Sequence, residues 1–314
     1  NAKTVDQIYP VVLSTATGYN SKFLNAGTIV NKGVEASLYG TPVQTTDFTW
    51  NINLNWTRNR NEVTELFGDA DNLVLATFQG GISLNATRGL PYGTIRGENF
   101  VYTNGERTVG GNGRYLRSAT SNEVIGDPNP DWIGGINNSL RYKDFSLSFL
   151  VDVRQGGDLF SLDLYYGLAT GIYPETAGLN DLGNPSRNTI ANGGGVVLPG
   201  VKEDGKPNDI RVENVDFGIF GYRRTPAAGF IYDASYVKLR EVLLSYSLPK
   251  STVSRLAPFK GIEFSLIGRN LWIIHKNLPH ADPEESISAG NLQGYQGGAY
   301  PSVRTFAFNV KLKF

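Results

Sequence analysis

The chain has 314 residues, enough for one large domain or two ordinary ones, and its 29 Lys and Arg balance 29 Asp and Glu. A formal charge of zero excludes a basic nucleic-acid footprint and a charged tail. With no Cys there are no disulfides, thiolate metal sites or cysteine nucleophiles; with no Met, not even an initiator, the chain reads as a processed or partial product.

Apolar runs stay short, as in "LVLA" and "LWII", so no segment supplies the roughly 20 apolar residues of a transmembrane helix. No signal peptide opens the sequence. Gly (37), Tyr (16) and Phe (16) favour strands joined by turns and long loops.

In chain order, a first strand is expected within Val5 to Leu13. "GVEASLYG" then alternates Val34, Ala36 and Leu38 with Glu35, Ser37 and Tyr39. After a short link at 41–47, "FTWNINLNWT" sets Phe48, Trp50, Ile52, Leu54 and Trp56 against Thr49, Asn51, Asn53, Asn55 and Thr57. A period of two on both sides of a short link predicts a hairpin. Beyond a long connection (about 59–130), "WIGGINNSLRY" (132–142) and "FSLSFLVDVR" (from Phe145) predict a second hairpin, joined by Lys143-Asp144. A second long connection (157–233) leads to "SYVKLREVLLSYSL" (235–248), whose phase changes at Arg240-Glu241 and predicts a bulge. "GIEFSLIGRNLW" (261–272) follows after a short link, then a third long connection (274–302). The terminal "TFAFNVKLKF" places Phe306, Phe308, Val310, Leu312 and Phe314 on one face, opposite Thr305, Ala307, Asn309, Lys311 and Lys313.

Alternation alone also describes a soluble sandwich. Three features favour a membrane barrel. The strands reach about 10 residues, enough to cross a bilayer at a tilt, where soluble strands average about 5 or 6. Apolar faces begin or end on large aromatics, as with Phe48 and Trp56, Trp132 and Tyr142, Phe306 and Phe314. Opposite faces are polar, and short turns alternate with long loops. A closed barrel gives every backbone group an internal partner in hydrocarbon without helices. The fold expected is all-β: a transmembrane antiparallel barrel with long loops on one side.

Segments spread along the chain resemble the SusC/RagA-type TonB-dependent outer-membrane transporters of Bacteroidetes. They are "NAGTIVNKGVEASLYGTPVQTTDFTWNINLNWTRNRNEV", "VIGDPNPDWIGGINNSLRYKDFSLSFLVDVRQGGDLFS", "GVVLPGVKEDGKPND", "ASYVKLREVLLSYSLPKS", "GRNLW" and "YPSVRTFAFNVKLKF". In the family's order they cover nearly all of 25–314. The resemblance implies a barrel of about 22 strands with an N-terminal plug and a TonB box upstream. It also implies a SusD-like lipoprotein closing over the extracellular mouth, and import of oligosaccharides or oligopeptides across a Gram-negative outer membrane. About eight strands are readable, too few for such a barrel. Residues 1–314 are therefore expected to be its C-terminal portion, with the plug and earlier strands outside this sequence.

Candidate functional residues lie mostly in the long connections. Tyr165, Tyr166, Tyr173, Tyr222, Tyr295 and Tyr300 are candidates for stacking on sugar rings or peptide planes, or for packing the loops against each other or the lid lipoprotein. "RQGGDLFS" (154–161) resembles a family signature at the top of a strand. Its Gly156-Gly157 would permit a bend, and Arg154 and Asp158 are further ligand candidates. The strand from Phe306 to Phe314 resembles the signal read by the barrel-assembly machinery, and its apolar face would also meet outer-membrane lipid.

Other motifs point to no chemistry. "GDPNPDW" and "HADPEES" lack the spacing of an EF-hand and read as Pro-flanked acidic turns rather than Ca²⁺ sites. His275 and His280 lack the company of a zinc site or a hydrolase triad, and there is no G-x-S-x-G. "GGGVV" lacks the Lys-Ser/Thr of a phosphate loop. Asn55, Asn85 and Asn137 head sequons that a bacterial barrel does not need. The expectation is a non-enzyme without cofactor or metal. The rivals are a soluble or surface-exposed glycan-binding β-domain and an outer-membrane enzyme with paired carboxylates at the rim.

Overall fold

A computed structural model of the chain describes residues 1–314 except 13–14, 20, 26, 215–219, 223, 287–289, 291 and 301. Its main sheet has eight strands: β1 (Ala2–Thr4), β2 (Gly27–Gln44), β3 (Phe48–Leu66), β4 (Trp132–Tyr142), β5 (Phe145–Gln155), β6 (Tyr236–Ser247), β7 (Gly261–Lys276) and β8 (Thr305–Lys313). Each pairs antiparallel with the next in chain order. Among the described residues the two edges, β1 and β8, are not paired with each other, so the sheet is an open sector of wall. No helix among the described residues is long and apolar enough to cross a membrane.

β4, β5 and β8 fall close to the expected segments, and β6 has the expected bulge: Leu239 faces Val151 and Glu241 faces Leu150, leaving Arg240 over. One further expectation is met in an unexpected place, and another needs correcting. Ile8–Val12 is a strand, but it pairs with Ser21–Asn25 in a separate sheet, and β1 is what extends the wall; Leu13 lies outside the described residues. β2 and β3 run for 18 and 19 residues, well beyond the stretches whose hydropathy alternates. Past Trp56 the same face carries Arg58, Arg60 and Glu62. Charge ends the apolar pattern there, yet backbone pairing with β2 continues to Leu66.

Register turns the alternation into a continuous apolar surface. One row runs Val43, Trp50, Leu140, Leu147, Leu244, Leu266, Phe308 across β2 to β8. Beside it, toward the short turns, lies an aromatic row of Phe48, Tyr142, Phe145, Tyr246 and Phe264, ending on Val310. At the other end Trp56, Trp132 and Trp272 share this face. From Phe48 to Trp56 is about 26 Å along a strand, hence about 20 Å of height at a tilt near 40°. Two aromatic borders around an apolar band match a wall facing lipid. Phe306 is 75% exposed and Leu266 57%, so among the described residues this part of the face is left uncovered.

One polar side chain interrupts the band. Asn138 lies between Ile52 and Phe149 in an otherwise apolar row, and its Oδ1 accepts a 3.0 Å hydrogen bond from the Trp50 indole. Asn138 is buried within the wall, unlike most of its row.

The short connections, 45–47, 143–144 and 248–260, all lie at one end of the sheet; 67–131, 156–235 and 277–304 lie at the other. These three long connections, expected as loops, share a packed core. Ile82, Leu84 and Ile95 come from the first, Leu159, Phe160, Leu164 and Phe230 from the second, and Leu278 and Tyr295 from the third. Small sheets support it. Ile82–Thr87 lies between Asn72–Phe78 and Thr94–Gly97, and Asp158–Ser161 between Ile231–Asp233 and Tyr295–Gln296. The helix α1 (Leu162–Thr170) starts on Ser161, whose Oγ accepts from the Leu164 amide and donates to Gln296 Oε1 at 2.6 Å. Most of the buried apolar side chains of the chain belong to this cap and few to the wall.

Replacing Trp50 with Phe leaves the Asn138 amide unpartnered in hydrocarbon and should destabilise the folded wall by about 1–2 kcal/mol. Adding Asn138→Leu should restore most of the loss. Denaturant unfolding of the complete receptor in lipid or detergent, with both single variants and the double, checks this.

Candidate functional site

The end of β5 and the turn before β4 hold each other. Asp131 N–H donates to Gln155 O at 2.7 Å, and Asp158 N–H donates to Asp127 O at 2.6 Å. The Asp127 amide donates to Asp158 Oδ2 at 2.9 Å, and Arg154 Nη2 donates to Pro128 O at 2.7 Å. Gly156 and Gly157 bend the chain with φ of 74° and 84°. A Cβ on Gly156 would stand 2.4 Å from the Asp131 carboxylate, and one on Gly157 would stand 2.6 Å from Arg154 Nη2. In "RQGGD", Arg154 and Asp158 thus clasp "GDPNPDW". Burial raises the Asp158 carboxyl above its usual range; the Asp127 amide opposes that, and neighbouring Asp127, Asp233 and Asp131 add to it.

The tyrosine candidates separate into four situations. Tyr165 stacks on Tyr222 with centroids 4.9 Å apart, and Tyr166 meets both rings edge-on. Tyr165 also touches Phe160 and Phe230 of the core, so this trio joins core to surface, with Tyr166 exposed. Tyr173 stacks on His280 at 4.4 Å, and His280 Nε2 lies 2.7 Å from Glu175, which ties the second long connection to the third. Tyr295 is 2% exposed, packed on Phe78 and Phe160, with its hydroxyl donating to Gln79 O. Burial pushes that hydroxyl up to about 12. Its ring belongs to the cap core, which is the loop-packing role set beside ligand stacking for these tyrosines. Tyr300 is 99% exposed.

The densest electrostatic feature was not anticipated. Asp282 and Glu284 of "HADPEES" reach the upper wall of β5 and β6. Lys238 Nζ is paired with Asp282, both side chains 5% exposed, and with Glu284 at 2.5 Å. Arg240 bridges Asp152 and Glu284, the Tyr236 hydroxyl donates to Glu284 at 2.9 Å, and Ser302 donates to Asp282 at 2.7 Å. Arg240 lies two residues beyond Lys238 on β6, and the bulge there brings Glu241 to the face of Lys238 as well. The acidic turn thus finds its cations in the wall. Among the described residues no three His, Asp or Glu side chains converge as metal ligands.

Burial by itself raises the Glu284 carboxyl, but hydrogen bonds from Arg240 and Lys238 outweigh it and bring the group down to about 2, against an ordinary 4.5. The folded value is the depressed one, so the latch contributes fully above about 4.5 and is lost as pH falls toward 2.

The cap and the latch lie on the polar face, which makes that face the interior. Between wall and cap is a cleft of about 430 Å³, lined among others by Gln7, Asn31, Asn61, Tyr92, Asn129, Arg154 and Gln293. Among the described residues no carboxylate lines it. Asn61 Nδ2 donates to Asn129 Oδ1 at 2.8 Å and its Oδ1 accepts from the Tyr92 amide at 2.6 Å. Asn59 donates to Asn31 at 3.2 Å. Of the earlier candidates only Arg154 reaches this cleft.

Comparison with known proteins agrees with this geometry. The chain is 28% identical to TonB-dependent receptor P3 of Formosa agariphila, over 99% of the chain and 31% of that protein. It is 24% identical to TonB-dependent receptor SusC of Bacteroides thetaiotaomicron, over 99% of the chain and 29% of that protein. The chain is a relative of the TonB-dependent receptors. Its fold superposes on the structure of the RagAB peptide transporter with a TM-score of 0.67 at 20% identity, covering 99% of the chain and 32% of that one. The wall therefore shares the fold of a sector of that structure's barrel, as the sequence led us to expect. The chain spans about a third of the length of the curated relatives it matches. No protein-family model matches it.

Glu284→Gln should weaken the latch, leaving Lys238 and Arg240 sharing a neutral amide. Hydrogen exchange at 277–286 in the complete receptor should then rise at neutral pH, and in the unaltered protein it should rise only as pH drops below about 4.5. Equal protection in both at every pH would remove the latch.

Proposed function

We propose that this chain is the C-terminal wall and cap of an outer-membrane importer that takes up oligosaccharides or oligopeptides with energy delivered through TonB. A SusD-like lipoprotein would close over the extracellular mouth, which is the end carrying the long connections. The carrying observation is the division of faces: an apolar band outside, a polar interior, and three connections packed into a cap above a polar cleft. The kinship with TonB-dependent receptors and the fold of a peptide transporter support the same reading.

On this reading the ligand is captured between cap and lid, TonB draws on a plug outside this sequence, and the interior opens toward the periplasm. No bond in the ligand is made or broken. Tyr166 and Tyr300 are exposed at the cap, which supports a role for them in meeting ligand or lid. The terminal strand β8 serves two ends, as recognition element for the barrel-assembly machinery and as lipid-facing wall.

The soluble glycan-binding alternative asks the β4–β8 face to be covered by protein, and that face is widely exposed. An enzyme at the rim would need two carboxylates poised together. Asp152, Asp282 and Glu284, gathered at the top of β5 and β6, are committed to Lys238 and Arg240.

The complete receptor should stay monodisperse only in detergent or lipid, and cells lacking it should lose uptake of one class of oligomer. Depleting TonB should abolish the same uptake. A receptor monodisperse without detergent, or uptake indifferent to TonB, would overturn the reading. Copurification of a surface lipoprotein with the receptor from unmodified cells tests the lid.

A further inference from the structure

The interior face of β3 carries an asparagine at nearly every inward position. Asn51, Asn53, Asn55, Asn59 and Asn61 follow one another with only Thr57 between, about 33 Å of strand from the short-turn end to the cleft. The upper members are tied into the cleft, and Asn51 accepts from Thr41 at 2.8 Å and Tyr39 at 3.1 Å. Asn53 and Asn55 are exposed midway and make no side-chain hydrogen bond among the described residues.

The neighbouring wall is shaped to leave these amides standing. Gly135 lies opposite Asn55, where a Cβ would come within 2.6 Å of Asn55 Oδ1. Gly33 lies opposite Asn59, where a Cβ would come within 3.2 Å of Asn59 Oδ1. Other neighbours are uncharged: Ser37 faces Asn55, and Asn137 and Tyr39 face Asn53. Glu35, opposite Thr57, stands within the row, and Arg141, opposite Thr49, borders its short-turn end. The upper cations Lys238 and Arg240 are already neutralised by the acidic turn.

We infer that this asparagine ladder is the interior binding track for a neutral oligosaccharide, leading from the cleft toward the short-turn end. A carboxamide both donates and accepts, and so does each sugar hydroxyl, so a chain of hydroxyls can exchange partners from one amide to the next. A peptide brings several charged termini and side chains, for which this stretch offers only Glu35 and Arg141 as partners against five uncharged amides. The inference rests on the import reading and chooses between the two ligand classes that reading leaves open.

The test uses the complete receptor in its own bacterium, on a medium where growth requires the receptor, supplied with a mixed hydrolysate of neutral polysaccharides and a casein digest. A photo-crosslinking amino acid at position 53 or 55 should yield saccharide adducts, identified by mass. Peptide adducts, adducts to another segment of the same receptor, or no adduct overturn the track. Asn53→Leu with Asn55→Leu should lower oligosaccharide uptake about tenfold at unchanged surface level, two lost hydrogen bonds being worth about that much. Asn53→Gln with Asn55→Gln, which keeps the amides, should retain most of it; equal uptake in the two double variants overturns the track. If no medium makes growth depend on the receptor, it is the import reading that fails.

Discussion

In hydrocarbon a backbone amide has no water to bond with, and this constraint organises the whole chain. It requires each strand of the band to be paired along its length, and it removes the usual reason to bury apolar side chains inside. With lipid outside, the interior face is released from making a core and can be given to Asn, Ser and Thr. Trp50 and Asn138 show how strictly the constraint is kept: the amide placed among lipid-facing side chains has an indole for a partner.

The apolar core that a soluble domain would form between sheets appears instead in the cap. Phe160 and Tyr295 stack at 5.8 Å, although their neighbours Ser161 and Gln296 are 135 residues apart in the chain. The cap is fastened to the wall by polar means, through the Arg154 and Asp158 clasp and the Lys238 latch. Such contacts suit a site that water reaches, since a paired and hydrogen-bonded charge tolerates partial burial. The two kinds of cohesion, apolar within the cap and ionic between cap and wall, divide the molecule into a seated body and its support.

The wall was legible in the sequence because strand period, aromatic borders and turn length all report on one boundary, that between lipid and water. Arg240 was legible too, as a break in phase. The top of β3 was not, because Arg58, Arg60 and Glu62 erase the hydropathy signal while the pairing continues. The cap was hidden for a different reason. Its core joins residues from three distant connections, and only local hints existed, such as the turn-forming Gly80-Gly81 within "LVLATFQGGISLNAT". The latch was out of reach, since "HADPEES" gives no sign that its partners are Lys238 and Arg240. Tyr295 follows a Gly and Tyr166 a Tyr within the long connections, and only the packing separates a core ring from a surface one.

The shared core of the three connections has a consequence for how such a protein can change what it handles. No one connection can be altered freely at its buried positions, because Leu84, Phe160 and Tyr295 belong to a single packed cluster. Variation at the buried positions of any single connection is therefore restricted by the other two, while exposed positions such as Tyr166 and Tyr300 stay free of that restriction. The cap behaves as one inheritable module, carried on a wall whose own requirements are set by lipid.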